Sequence, residues 1–168
     1  MSTLTSVGPD AALPDSAWPI FRFESDFAGA LQCMPMSVRF RLDECGVKLS
    51  LKQWNRLPEE QRQALVSTLC DTPERVQAYR GLLTTLIETY AASAPEFIAV
   101  DPAPPWSDTS RVPTQIEAYA ASLGCKAPDL SQWQALSPLQ RFVLCKLSRP
   151  NHQNANFMAA MQEFGLTD

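Results

Sequence analysis

Apolar positions recur every three or four residues along most of the chain, and proline and glycine punctuate the recurrences. From Pro35, the residues Val38, Leu42 and Cys45 mark one helical stripe, and Gly46 closes it. Leu57-Pro58-Glu59-Glu60 opens a second helix, with Leu65, Val66 and Leu69 as its inner face. Thr72-Pro73-Glu74 opens a third, along which Val76, Tyr79, Leu82, Leu83, Leu86, Ile87 and Tyr90 recur at helical spacing. From Ala94 to Val112 the periodicity stops, and Pro95, Pro102, Pro104 and Pro105 argue against helix. The grammar then returns. Pro113 starts a helix striped by Ile116, Tyr119, Ala120 and Leu123, and Gly124 ends it. Ser137-Pro138 opens the next, with Val143, Leu144 and Leu147 inside. Pro150 opens the last, carrying Phe157, Met158, Met161 and Phe164. Ahead of all this, Trp18 to Glu24 alternates as a short strand or extended arm does.

The recurrence is also one of sequence. With one extra residue allowed in the second copy, Pro35 to Leu65 aligns with Pro113 to Leu144. The identical pairs are Pro35/Pro113, Gly46/Gly124, Lys48/Lys126, Gln53/Gln132, Trp54/Trp133, Leu57/Leu136, Gln61/Gln140, Arg62/Arg141 and Leu65/Leu144. Self-similarity of this kind predicts a duplicated supersecondary unit. The predicted fold is therefore all-α: a six-helix bundle from two tandem three-helix repeats, with a short N-terminal extended arm. Residues 1–16 read as a disordered tail, 17–93 as the first repeat with its aromatic arm, 94–112 as a Pro-rich connector and 113–168 as the second repeat. The whole makes one compact domain.

Composition narrows the function. The chain has 168 residues, a net charge of −4 and 45% hydrophobic residues. It can bury a core, and it has no basic run to hold nucleic acid. No apolar stretch reaches the roughly 18 residues of a membrane span. The N-terminal MSTLTSVGPD lacks the pattern of a secretion signal, so a cytoplasmic location is expected. Five cysteines without a CxxC pair predict reduced thiols, and a single histidine, His152, argues against an ordinary catalytic zinc site.

The two copies act as controls for each other. Residues kept in both predict shared structural work. Trp54 and Trp133 read as core anchors. Lys48 and Lys126 follow a helix C-terminus, where a cation suits free carbonyls. Arg62 and Arg141 read as cross-links to an acid or a carbonyl. Residues of the first copy alone are the candidates for function. Arg39 stands opposite Glu117, Arg41 opposite Tyr119 and Asp43 opposite Ala121. Arg39, Arg41 and Asp43 are assigned to the polar side of the first helix. Arg39 and Asp43, four apart, can pair on the surface. Alternatively Arg39, Arg41 and Asp43 form a partner-binding face with Phe23, Glu24 and Asp26. Cys33, Cys45 and Cys70 offer a soft-metal or redox reading, against which Cys45 lies on the apolar stripe. Cys33 as a nucleophile lacks a placed histidine. An enzyme with an unrecognised helical active site is the remaining alternative; the chain has neither a glycine-rich phosphate loop nor an isolated acid pair.

Residues 21–70 also carry a recognisable pattern. Phe21-x-Phe23-Glu24-x-Asp26-Phe27 is followed by Leu31-x-Cys33-Met34-Pro35-Met36-x-Val38-Arg39-Phe40-x-Leu42-Asp43. Then come Gly46-Val47-Lys48-Leu49-x-Leu51-x-x-Trp54, Arg62 and Cys70. The segment resembles the nitrate reductase associated protein family. Such proteins occur mostly in cyanobacteria, usually beside genes for assimilatory nitrate reductase and molybdopterin synthesis. The resemblance implies a non-catalytic accessory or maturation factor with no cofactor of its own. Its implied partner is nitrate reductase or the molybdenum-cofactor machinery.

Overall fold

The computed structural model describes residues 20–28, 30–150 and 155–167. The expected tail, Trp18 and His152 lie outside them. The described chain is mostly helical, with α1 at Ser25–Ala28, α2 at Met36–Cys45, α3 at Leu51–Trp54, α4 at Glu59–Ser67 and α5 at Pro73–Leu86. A π turn over Ile87–Ala91 extends α5. After the connector come α6 at Thr114–Ser122, α7 at Leu130–Ala135, α8 at Pro138–Leu147 and α9 at Asn156–Glu163. The two strands are β1, Val47–Lys48, and β2, Glu96–Phe97; they pair antiparallel, Val47 opposite Phe97. This pairing ties the connector back to the end of α2.

Two sequence expectations need correction. Arg22–Glu24 form a 3-10 turn leading into α1, where an extended arm was expected. Each half also holds more helices than the three expected: among the described residues the first has α1 to α5 and the second α6 to α9, the short α1, α3 and α7 lying outside the stretches where apolar periodicity marked a helix. Both α3 and α7 open with a capping box. Ser50 and Gln53 satisfy each other's backbone N–H groups in one, and Asp129 and Gln132 do so in the other.

The aligned residues occupy matching local settings. Pro35 and Pro113 are N-caps, one residue outside the helices they open. Gly46 and Gly124 stand at φ +67° and +68°, the left-handed conformation that glycine adopts without penalty. Trp54 and Trp133 are fully buried. The Trp54 indole N–H donates to the Leu31 carbonyl at 2.7 Å, and that of Trp133 to the Asp108 carbonyl at 2.9 Å. Arg62 joins Trp54 on the Leu31 carbonyl at 2.6 Å, while Arg141 donates to the carbonyls of Trp106 and Leu136. Lys48 behaves differently from its expected role: its ammonium meets the exposed Glu96 carboxylate at 2.9 Å.

Two hydrophobic clusters fill the interior. The first gathers Trp54, Leu57, Leu65, Tyr79, Leu83 and Ile87 with the α2 stripe. The second gathers Trp133, Phe142, Leu144, Phe157 and Met161. Helix α2 belongs to both. Its Val38, Leu42 and Cys45 enter the first cluster, whereas Met36 and Phe40 pack against the second. Phe40 meets Phe142 edge-on with ring centroids 5.1 Å apart.

Candidate functional site

Three side chains hold α2 and the segment before it in place. Glu24 is fully buried. One carboxylate oxygen accepts the Phe21 N–H at 3.0 Å and the other the Met36 N–H at 2.9 Å, at the first turn of α2. Burial holds this carboxyl above the ordinary glutamate range. The two N–H donors and the Arg39 guanidinium pull in the opposite direction without overcoming it. Glu163 of α9 accepts the Arg22 and Phe23 N–H groups, each at 2.9 Å. Phe21 and Phe23 stack and meet Phe164 edge-on. The arm before α1 is thus fastened to the second half, with the buried carboxylate linking it to α2. Asp43, next to Leu42 of the apolar stripe, pairs with Lys146 of α8 at 2.7 Å.

Beside these contacts runs a groove of about 500 Å³. The first half supplies Phe27, Met34, Leu49 and Leu51 to its lining, and the connector supplies Ile98. Charge comes from Arg39 and Lys48 in the first half and from Lys146 and Arg149 in the second, facing Glu24 and Asp43. A neighbouring depression of about 250 Å³ shares Asp43, Ile98, Lys146 and Arg149 and reaches Trp106. Phe27, Leu51 and Ile98 are between 38% and 48% exposed, so the lip of the groove is apolar and open to solvent.

The sequence candidates fall into different settings in the structure. Arg39 and Asp26 are exposed, Asp43 is half-buried, and Arg39 and Asp43 share the groove. Arg39 donates from Nε to the Met34 carbonyl at 3.2 Å and Asp43 goes to Lys146, so the two do not pair with each other. Phe23 is half-buried against Phe164. Arg41, expected on the same docking face, is interior and requires correction, whereas Glu24 lines the groove with its carboxylate buried and engaged. Arg41 is 5% exposed; its guanidinium donates to the Leu65 and Val66 carbonyls at 2.9 and 2.7 Å. Those carbonyls belong to the last turn of α4, which has no helical partners for them. Tyr79 adds its hydroxyl to the Leu65 carbonyl at 2.9 Å. Arg41 therefore serves packing. The spacing carried the signal, since 38, 41, 42 and 45 share one helical face. The groove residues that sequence reasoning missed are Lys146 and Arg149. Lys146 interrupts the apolar run Phe142-Val143-Leu144-Cys145, and that break was the available clue.

The family model of conserved nitrate reductase-associated proteins matches residues 20–164, which takes in both halves and every residue of the groove. The chain belongs to this family. No curated protein and no solved structure matches the chain. The name of the conserved nitrate reductase-associated protein family carries association with nitrate reductase, and it attaches that association to no particular residue.

In this member of the family, the cysteines singled out for metal or redox chemistry sit in two settings. Cys45 and Cys70 are buried beside the first core, and Cys33 is half-buried. Burial pushes the Cys45 thiol up to about 11 and the Cys70 thiol up to about 12, with the Glu44 carboxylate adding to the latter. Both thiols stay protonated at neutral pH, whereas thiolate is the form that ligates and attacks. Among the described residues, no group of three His, Cys, Asp or Glu side chains is placed to hold a metal ion. Likewise, no helix among them is long and apolar enough to cross a membrane.

Proposed function

We propose that this protein is a non-catalytic accessory factor that binds assimilatory molybdenum nitrate reductase, or the machinery that loads its cofactor, in the cytoplasm. Membership of the nitrate reductase-associated family, with the match running across both halves, carries the reading. The docking face is the groove beside α2, where Arg39 and Asp43 lie with the exposed side chains of Phe27 and Leu51. A duplicated helical unit explains why it lies there. The matching caps, the left-handed glycines and the indole-to-carbonyl bonds support common descent of the halves. On that reading, Arg39 and Asp43 are additions of the first copy, free of the work that both copies share.

The test is capture of purified apo and holo nitrate reductase by the full chain and by Arg39→Glu/Leu51→Glu, two substitutions at exposed positions of the groove. Capture by the wild type and its loss in the double variant, together with slowed growth on nitrate, is the expected outcome. If capture and nitrate-dependent growth are the same for both proteins, this face is not the docking surface.

A further inference from the structure

The groove differs in charge from the molecule that carries it. The chain has 18 Asp and Glu against 14 Lys and Arg, yet among the described residues the groove sets Arg39, Lys48, Lys146 and Arg149 against Glu24 and Asp43. Both of those carboxylates are engaged. Glu24 spends its two oxygens on backbone N–H groups, and Asp43 is held by Lys146. Among the described residues Lys48 pairs with Glu96, the two side chains both more than 60% exposed. Such an exposed pair is weak and exchanges readily for another carboxylate. Arg39 and Arg149 are also exposed. Cations available to a ligand therefore lie on both sides of the groove.

Between them lie apolar, adaptable side chains. Met34 and Met36 line the groove, and unbranched thioethers repack around varied shapes. Phe27, Leu51 and Ile98 are already solvent-exposed at its lip. The groove is an open trough, continuous with the depression that ends at Trp106. An elongated ligand with several anchors fits this form better than a compact metabolite, which requires enclosure.

Resting on the reading of this groove as the docking face, we infer that the element it accepts is an acidic, amphipathic segment of the partner protein. Apolar side chains of that segment enter between Phe27, Met34 and Leu51. Its carboxylates meet Arg39, Lys48 and Arg149. The acidic net charge of this chain then works with the recognition: it repels the rest of an acidic partner and leaves one trough attractive, so orientation is selected by charge.

Two labelled synthetic peptides of about 16 residues, roughly four helical turns, test this by fluorescence anisotropy. They share the same Leu and Phe positions and differ only in carrying Glu or Lys at every polar position. The wild-type chain is expected to bind the Glu peptide at least about tenfold more tightly than the Lys peptide, with the preference shrinking as salt is added. Lys48→Glu/Arg149→Glu, checked for an unchanged melting temperature, is expected to abolish or invert the preference. Equal binding of the two peptides, no binding of either, or a preference that survives in the double variant overturns the inference. A parallel capture of nitrate reductase separates the two readings. A Glu-peptide preference without reductase capture leaves the acidic segment standing and removes the named partner. Capture that Lys48→Glu/Arg149→Glu leaves intact, with no peptide preference, does the reverse.

Discussion

Glu24 illustrates how a residue chosen for its charge can be spent on architecture. A carboxylate near the start of a helix reads as a surface group or a cap, and residue spacing alone does not reveal that the arm folds over it. The arm that carries it packs Phe21 and Phe23 on Phe164, contacts that span most of the chain. Because its carboxyl titrates above the ordinary glutamate value of 4.5 in the folded protein, the native state holds the proton more tightly than the unfolded chain does. The contribution of Glu24 is therefore complete below that value and is lost as pH rises through the native titration. Glu24→Gln should remove this slope. Urea midpoints measured from about pH 4 to pH 7 should fall more steeply with pH for the wild type than for the variant; parallel curves would mean that the buried carboxyl does not titrate in this range. Arg41 teaches the complementary lesson. Its place on the Val38–Cys45 face was legible, but the α4 carbonyls that it satisfies were not, since they come from a different helix.

At the scale of elements, most helix ends were written in the sequence, because proline caps and left-handed glycines act locally. Helices α3 and α7 were equally readable from Ser50/Gln53 and Asp129/Gln132, yet their length of one turn or so hid them from any periodicity. The β1–β2 ribbon was not readable: two residues pair with two others almost fifty positions away, and nothing in Val47-Lys48 names its partner. That ribbon separates the fates of the two aligned glycines. A Cβ on Gly124 meets nothing within 4 Å, so Gly124→Ala incurs only the left-handed backbone penalty, about 1 kcal/mol. A Cβ on Gly46 would stand 2.7 Å from the Ile98 carbonyl oxygen, which the ribbon fixes by the Ile98 N–H bond to the Gly46 carbonyl. Gly46→Ala should cost at least about 3 kcal/mol, the backbone penalty plus overpacking. Chemical denaturation of both variants checks this; equal losses would show that the ribbon gives way.

For the whole molecule, the decisive feature is that a single helix, α2, walls two cores. The halves look separable in sequence, with a proline-rich stretch between them, and contact across the molecule says otherwise. Phe40 sits on Phe142, Asp43 holds Lys146, and the arm that precedes the first half is fastened to Glu163 at the end of the second. A chain cut between Ser110 and Arg111, both exposed, should therefore yield two pieces that are each poorly folded when made alone. The N-terminal piece would bare Met36 and Phe40, and the C-terminal piece would lose Phe21 from its core. Made together in one cell, the pieces should recover a soluble one-to-one complex with the circular dichroism of the intact chain. Cooperative folding of either piece by itself would contradict this. Reassembly would turn a molecule that resembles two beads on a string into a reporter whose signal depends on both pieces meeting, with the groove forming only when they do.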